Sequence, residues 1–222
     1  MDQTPAHDNY NPDLLRLMDR AFDTVVEVGC SRGALARAYR ESYPQARYIG
    51  VEIDAGYAEA ARRHCDRVLC GDIESLSALD WSSLFPSACW VFGDALEHLR
   101  DPWALLRRLR KDLGTEGQVL ACIPNAQHWS VQARLAAGAF NYEDQGLLDR
   151  THLRWFTRST IIDLFQSSGF RIEKMLSRVF DEPAKERFLP AIGELAAAAG
   201  VDRERALRDA QPMQYVLRAV PA

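Results

Sequence analysis

The sequence has few of the features that would place it in a membrane or outside the cell. No apolar run reaches the length of a membrane span, and the polar N-terminal stretch MDQTPAHDNY lacks the apolar core of a signal peptide. The five cysteines form no CxxC pair, and no nearby histidines complete a zinc spacing. These absences predict a cytoplasmic protein with reduced, mostly buried cysteines, no membrane partner and no metal site.

A strong excess of one charge is also absent. The 222 residues carry 27 basic and 31 acidic side chains, and this net charge of −4 gives no reason to expect nucleic acid as a partner. One basic run, Arg107-Arg108-Arg110-Lys111, is more typical of a solvated helix face. No internal repeat or low-complexity linker divides the chain, so residues 1–222 are predicted to form a single α/β domain.

The stretch TVVEVGCSRG, residues 24–33, carries the clearest structural signal. Its β-branched residues predict a buried strand, and the Ala- and Leu-rich stretch behind it predicts a helix. The glycine turn between them lets a ligand approach the backbone, and the free N–H groups of the helix start point at that ligand. Glu27 places an acid before this turn, so a ligand with both a positive and a negative end fits here.

Strands and helices alternate with short connections as far as Pro124. This alternation indicates a doubly wound, mostly parallel sheet with helices on both faces, which binds ligands beyond the carboxyl ends of its strands. The predicted strands lie at residues 24–28, 47–52, 67–70, 88–92, 118–123, 170–180 and 213–220.

Two segments interrupt this pattern. Residues 125–157 mix aromatic, histidine and charged residues and are too long for an ordinary connection, so they are predicted to form a cap over the strand ends. Residues 181–211 are predicted as a helical insertion before the last strand. Residues 1–22 form an N-terminal segment, with a short helix beginning at Asn11 and Pro12.

Acidic residues follow the second and third predicted strands. Glu52 can accept two hydrogen bonds from a ribose diol, and Asp72 with Ile73 can bind the amino group and one face of an adenine. The first turn lacks G-x-G-x-x-G, and Glu27 before it disfavours a pyrophosphate. Each acid alone is as often a solvated turn residue or a helix N-cap. Together and in this order they indicate a nucleoside-bearing ligand.

With these motifs the chain resembles the class I S-adenosylmethionine-dependent methyltransferases. The resemblance covers roughly residues 10–180 and rests on EVGCSRG, VEID, GDI, GDALEHLRDP and IPN. It implies a Rossmann-like methyltransferase fold with a seven-stranded, mostly parallel sheet, and S-adenosylmethionine as the cofactor. The cofactor-binding residues that it implies are Glu27, Gly29, Cys30, Ser31 and Gly33 for the methionyl group, Glu52 for the ribose, Ile53, Asp72 and Ile73 for the adenine, and Gly93, Asp94, Ala95 and Leu96 for the sulfonium side. Ser31 stands where the family usually has a second glycine.

The cap is similar to methyltransferases of cell-surface glycan and secondary-metabolite pathways, which in turn resemble ubiquinone-type O-methyltransferases. In that group the segments corresponding to IPNAQHW and DRTHLRWFT shape the acceptor pocket. The candidate acceptor-binding residues are Tyr10, Trp129, Tyr142, Arg150 and Arg154. Trp129 and Tyr142 are also typical of a cap core, and the two arginines could instead form ion pairs. Tyr10 could close over the cofactor from the N-terminal helix.

Three histidines are candidates for a general base that accepts the proton of an acceptor hydroxyl. His98 follows the fourth strand, close to the expected sulfonium, whereas His128 and His152 lie in the cap. Each could equally be a structural residue that orders its loop through hydrogen bonds.

The sequence therefore predicts a methyltransferase that modifies a hydroxyl of a sugar, a glycan precursor or another small metabolite. Methylation of an amine, or of a phenol on a quinone-like or natural-product acceptor, is the alternative within this class. A non-catalytic methyltransferase-like partner subunit is the alternative from another class, and a homodimer is left open. The asparagine-proline-proline-aromatic signature of many base-methylating enzymes is absent, since the chain reads Ile123-Pro124-Asn125.

Overall fold

The structure, a computed structural model, describes residues 8–222. Its centre is a seven-stranded sheet with the strand order β3-β2-β1-β4-β5-β7-β6. All neighbouring strands run parallel except β7, which is antiparallel to both β5 and β6. The strands are β1 (Thr24–Val28), β2 (Arg47–Glu52), β3 (Arg67–Cys70), β4 (Cys89–Asp94), β5 (Gln118–Pro124), β6 (Phe170–Arg178) and β7 (Gln214–Pro221).

Helices connect these strands and cover the sheet. The α-helices within residues 8–222 are α1 (Pro12–Leu17), α2 (Ala34–Ser42), α3 (Ala55–Ala61), α4 (Ala78–Ser82), α5 (Pro102–Asp112), α6 (Trp129–Ala136), α7 (Arg158–Ser167), α8 (Leu189–Ala198) and α9 (Arg203–Asp209). Short 3₁₀ turns follow β3, β4 and β6. No helix in this described part is both long and apolar enough to cross a membrane.

The sheet is buried on both faces because its strands alternate between two apolar clusters. In β4, Trp90 and Phe92 pack into one cluster, while Cys89 and Val91 pack into the other. Helices α5 and α7 complete the first cluster, and α1, α2 and α3 complete the second. Strands that are apolar on both faces are the pattern of a doubly wound sheet.

The topology brings the carboxyl ends of β1 and β4 side by side. The chain leaves β1 toward β2 on one side, and the sheet continues through β4 on the other, so the switch point lies between them. The two loops meet closely, since a Cβ built on Gly29 after β1 would lie 3.4 Å from the Cβ of Ala95 after β4. This crevice is where ligands bind in open α/β sheets.

The predicted fold class is confirmed, including the sheet of seven mostly parallel strands. Asn11 caps α1 through its side chain, and Pro12 opens that helix, as predicted. Two strand ends differ by two residues, since β6 ends at Arg178 rather than near residue 180 and β4 ends at Asp94 rather than at residue 92. Residues 1–7 of the predicted N-terminal segment lie outside the described residues.

Candidate active site at the switch point of the sheet

The turn after β1 has a backbone that only glycine adopts easily. Gly29 and Gly33 have φ angles of 72° and 79°, and Ser31 between them has a φ of 46°. A Cβ on Gly33 would also approach the backbone of Ala61 to 3.3 Å, so glycine is required there for space as well. Ser31 is therefore a strained residue at the position where the family usually has glycine.

Cys30 contributes its backbone to this turn and its side chain to the core. Its thiol lies so close to β2 that a Cβ on Gly50 would approach the Cys30 sulfur to 2.5 Å. A hydrogen bond with Cys65, together with burial, raises the pKa of the Cys30 thiol. The side chain is thus unreactive and faces away from the crevice, which leaves the backbone for the predicted cofactor contact.

Glu52, at the end of β2, holds the turn after β1 in place through a hydrogen bond. Its carboxylate accepts hydrogen bonds from the backbone N–H of Ser31, at 2.8 Å, and of Asp54, at 2.9 Å. The residue is only 5% exposed. Each oxygen receives one of these bonds and keeps a lone pair for another donor, such as the predicted ribose hydroxyl.

Glu27 is buried in the first strand of the sheet and is 5% exposed, as Glu52 is. Its carboxylate accepts a 2.9 Å hydrogen bond from the Tyr48 hydroxyl. Burial raises the pKa of Glu27 to about 8, the Tyr48 hydrogen bond opposes this rise, and the charge of Glu52 adds to it. Pairing of Glu27 with the methionyl ammonium remains a prediction.

The residues predicted for adenine lie at the ends of β2 and β3. Ile53 is 53% exposed although it is apolar, which leaves a face for an aromatic ring. Ile73 is buried below it in the core of the sheet. Asp72 caps the following 3₁₀ turn through Glu74 N–H and forms a 2.5 Å ion pair with Arg100. Asp72 is therefore partly engaged, and its contact with adenine stays a prediction.

The residues predicted for the sulfonium side lie where β4 ends. Gly93 and Asp94 are the last residues of β4, and Ala95 and Leu96 are buried directly after them. The Asp94 carboxylate accepts a 2.9 Å hydrogen bond from the Gln214 side chain on β7. Asp94 is exposed at the end of β4, and its role on the sulfonium side stays a prediction.

These groups fit S-adenosylmethionine. Helix α2 begins without a side-chain cap, so the N–H groups of its first turn are left for a carboxylate such as that of the methionyl group. The turn before it is shaped by glycines, Glu52 follows at the ribose position, and Ile53 is an exposed apolar residue at the adenine position.

His98 and His152 come together on the other side of the crevice. Their ring centroids lie 4.8 Å apart in an edge-on arrangement, although the residues belong to the loop after β4 and to the cap. The backbone joins these segments, since the Glu97 carbonyl accepts hydrogen bonds from the N–H groups of Leu153, at 2.8 Å, and Arg154, at 3.0 Å. The structure thus unites two of the three predicted histidines.

Asp149 and Thr151 orient the His98 ring. The Thr151 hydroxyl donates its only proton to the Asp149 carboxylate at 2.6 Å, so it can only accept from His98. His98 Nδ1 lies 3.1 Å from that hydroxyl oxygen and 3.2 Å from the Thr151 carbonyl oxygen. Both neighbours are acceptors, so Nδ1 carries the proton and Nε2 presents a lone pair.

One ring nitrogen of His152 has no hydrogen-bond partner. This is Nδ1, which is buried without a partner among residues 8–222. Burial and the neighbouring His98 ring lower the pKa of His152 to about 4, so the ring is neutral near neutral pH.

Glu97 is a third member of this group that sequence analysis did not identify. Its side chain is 1% exposed, and neither carboxylate oxygen has a hydrogen-bond partner in the described part of the chain. Glu97, His98 and His152 each offer one donor atom, and these atoms lie within 4.8 Å of one another. The available signal was an acid inside the apolar run Ala95-Leu96-Glu97-His98-Leu99.

His128 is not brought to this group. Its buried ring caps α6 by accepting from Ser130, and its Nε2 lies 3.1 Å from the Glu182 carboxylate. Burial lowers the pKa of His128, while Glu182 opposes this shift. Both ring nitrogens are engaged, as expected for the structural role that the sequence left open.

Trp129 and Asn125 join β5 and the cap to the 181–211 insertion. The Trp129 indole donates to Glu182 at 3.2 Å and stacks on Phe188 with ring centroids 5.4 Å apart. Asn125, fully buried, donates 2.8 Å hydrogen bonds to the carbonyls of Asp209 and Pro212. Trp129 is thus occupied in packing rather than open to an acceptor.

The remaining acceptor candidates lie at the surface of the cap. Tyr142 is 58% exposed and forms an aromatic cluster with Phe140 and Trp155. Arg150 forms a 2.7 Å ion pair with Asp144, and Arg154 donates to the backbone carbonyls of Leu153 and Arg100. The two arginines are therefore engaged within the chain, whereas Tyr142 is accessible.

Tyr10 lies in the segment just before α1 and is exposed. That segment is linked to the cofactor turn, because Asp8 forms a 3.2 Å ion pair with Arg32. A position near the cofactor is consistent with this link, and the contact itself stays a prediction.

Comparison with known proteins agrees with this geometry. A family described as methyltransferase domain matches residues 6–175. A malonyl-[acyl-carrier protein] O-methyltransferase of Anoxybacillus flavithermus is 28% identical over 101 residues, which cover 44% of this chain and 37% of that protein. The chain thus matches only about a third of the length of this curated relative.

Solved structures share the fold. A SAM-dependent methyltransferase from Archaeoglobus fulgidus superposes with a TM-score of 0.62 at 17% identity, over 94% of this chain and 91% of that one. The O-methyltransferase NcsB1 of neocarzinostatin biosynthesis, solved with S-adenosylmethionine and 2-hydroxy-5-methyl naphthoic acid, gives a TM-score of 0.54 at 14% identity over 90% and 49%.

These likenesses confirm the predicted fold. Because the family match extends over more than half of its residues, the chain belongs to the methyltransferase domain family.

Proposed function

We propose that this protein transfers a methyl group from S-adenosylmethionine to a hydroxyl of a small molecule. The observation that carries the proposal is the His98–His152 pair, whose ring centroids lie 4.8 Å apart and in which His98 directly follows the sulfonium-side segment Asp94 to Leu96. A hydroxyl needs to lose a proton on methylation, and an imidazole at that point supports this step.

The chain's own residues position the two reactants. When bound, S-adenosylmethionine supplies a methyl group already activated on a sulfonium. The Gly29–Gly33 turn and Glu52 hold the methionyl and ribose ends, and Ile53 covers the base. Glu97, through its backbone carbonyl, fixes the cap segment at Leu153 and Arg154, so His152 faces His98. Such positioning supplies much of the rate enhancement of a group transfer.

The surface beside the histidines supports an acceptor with an apolar or aromatic face. Trp155 and Leu153 flank His152 in sequence and are partly exposed, and Trp155 joins the cluster with Tyr142 and Phe140. Sugars and planar aromatic rings both pack on such side chains. A sugar or glycan precursor and another small hydroxyl metabolite both remain within this proposal, whereas nucleic acid does not.

The aromatic cluster also favours a phenol as the second candidate. NcsB1, which shares the fold, was solved with a hydroxylated naphthoic acid, and a phenol would stack on Trp155 and Tyr142 in a similar way. The proposal includes a cytoplasmic location, which the five free cysteines support.

The test is a methyl-transfer screen over sugars, phenols and amines, followed by kinetics of His98→Asn. We expect turnover of a hydroxyl acceptor and a loss of about 100-fold in kcat/KM in the variant, with unchanged cofactor affinity. The matched control is His64→Asn, which changes a histidine outside the site. Preference for amines, or full activity of His98→Asn, would contradict the proposal.

A further inference from the structure

We propose that Glu97, His98 and His152 bind one divalent cation of the first transition row. The three residues each offer one donor atom, and these atoms lie within 4.8 Å of one another. The sequence predicted no metal site because its cysteines and histidines show no metal-binding spacing. The three donors become neighbours only when the cap folds onto the loop after β4.

The first argument is the unpaired carboxylate of Glu97. Both of its oxygens are buried and lack a hydrogen-bond partner within residues 8–222. A buried polar group without a partner is destabilising, and more so if it is charged. A cation coordinated by these oxygens would remove that destabilisation.

The charges around Glu97 give the second argument. The carboxyl groups of Asp94 and Asp149 lie close enough to interact electrostatically with that of Glu97. Several acidic groups therefore converge on a buried point next to two imidazoles. A divalent cation would offset this concentration of negative charge.

The third argument is the orientation of the two histidines. The proton of His98 lies on Nδ1, which faces the Thr151 carbonyl oxygen at 3.2 Å, and Nδ1 of His152 is buried without a hydrogen-bond partner within residues 8–222. Metal-bound histidines usually donate their other N–H to a backbone carbonyl or carboxylate in this way. The arrangement leaves one bare nitrogen on each ring.

The ligand set selects the kind of ion. Two imidazole nitrogens with one carboxylate suit Mn²⁺, Fe²⁺, Co²⁺ or Zn²⁺ better than Ca²⁺, which prefers oxygen ligands only. Two donors that bind one ion at about 2.1 Å lie about 3.4 Å apart at a tetrahedral angle, so side-chain shifts of about 1 Å close the site. Three protein ligands leave at least one position open.

The open coordination position gives the cation a catalytic role, and this role rests on the proposed function. An acceptor hydroxyl bound there loses its proton more readily, because the cation stabilises the alkoxide or phenolate. The O–H bond would break and the proton would pass to water. The electron pair left on the oxygen would form the new O–C bond to the methyl carbon while the C–S bond of the sulfonium breaks, and S-adenosylhomocysteine would leave as a neutral thioether with that electron pair on sulfur. The cation is neither oxidised nor reduced. In this state His98 is a ligand rather than the base.

The test is a titration of the chelator-treated full-length protein with Co²⁺, followed by visible absorption and calorimetry. We expect one ion per chain, with the ligand-field bands of a nitrogen- and oxygen-coordinated cobalt. Glu97→Gln and His152→Asn should each weaken Co²⁺ binding by at least about tenfold. His64→Asn, the matched control, should bind Co²⁺ as the wild type does. S-adenosylmethionine binding by each variant verifies that it is folded.

The outcomes separate the cation site from the proposed function. Absence of stoichiometric Co²⁺ binding, or wild-type affinity in Glu97→Gln, would overturn the site. Full methylation of a hydroxyl acceptor in the presence of chelator would overturn the catalytic use of the cation while the proposed function stands. Tight Co²⁺ binding in an enzyme that methylates only amines would leave the site intact and refute the proposed function.

Discussion

Glu52 and Glu97 are two buried carboxylates at neighbouring strand ends of one sheet, and they differ in what surrounds them. Glu52 accepts hydrogen bonds from two backbone N–H groups, whereas neither oxygen of Glu97 has a hydrogen-bond partner in residues 8–222. The cofactor side is therefore held in shape by the protein itself. The acceptor side contains a group whose partner is supplied from outside.

The surroundings of Glu27 are intermediate between those of Glu52 and Glu97, and its titration gives the largest expected effect on stability. Its carboxylate accepts a hydrogen bond from the Tyr48 hydroxyl, and burial raises its pKa from 4.5 to about 8 in the folded protein. Between these two pKa values the folded protein keeps the Glu27 proton, whereas the unfolded chain has lost it. The free energy of unfolding should therefore fall as pH rises, by about 3 kcal/mol between about pH 5 and 7.5.

Glu27→Gln should remove this contribution, because the amide keeps an acceptor for Tyr48 but does not titrate. The measurement is urea unfolding of both proteins across this pH range. An identical pH slope in the two proteins would show that Glu27 is not held protonated.

Substitution of each carboxylate by methionine tests the comparison itself. Glu52→Met leaves the N–H groups of Ser31 and Asp54 without their acceptor, which should lower the free energy of unfolding by about 2 kcal/mol. Glu97→Met replaces an unpaired carboxyl by an apolar side chain, which should raise it by about 1 kcal/mol. Both are measured by urea unfolding with chelator present. If both substitutions lowered the free energy of unfolding to the same extent, the contrast between Glu52 and Glu97 would be refuted.

Ser31→Gly has the smallest expected effect. The residue has a positive φ of 46°, so glycine should relieve strain and raise the free energy of unfolding by up to about 1 kcal/mol, with cofactor binding retained. Ser159→Gly in α7 is the matched control, since glycine in a helix lowers stability. The comparison is made by thermal unfolding, and a loss of stability in Ser31→Gly would show that its side chain is needed.

The cofactor side could be predicted from the sequence because its signals are local. The β-branched run of β1, the glycines of the turn and the acid at the end of β2 each depend on residues close in the chain. The strain at Ser31 and the inward position of Cys30 could not be predicted, because both depend on the exact path of the turn against Gly50.

The acceptor side was predicted only as separate candidates. His98 and His152 become neighbours through the backbone bonds between Glu97 and the cap, a long-range contact that no periodicity encodes. Glu97 was not predicted because a single acid within an apolar turn forms no recognisable spacing with other ligand or catalytic residues. His128 contacts Glu182 and Trp129 contacts Phe188, both in the 181–211 insertion, and these two partners have no recognisable pattern in the sequence.

The most direct test of the two-sided site is calorimetry with S-adenosylmethionine in the presence of chelator. If the cofactor is held by Glu52 and the group at Glu97 serves only the acceptor, Glu52→Ala should weaken cofactor binding by about 100-fold. Glu97→Gln should bind the cofactor as the wild type does. Equal losses in the two variants, or undiminished binding by Glu52→Ala, would contradict this account.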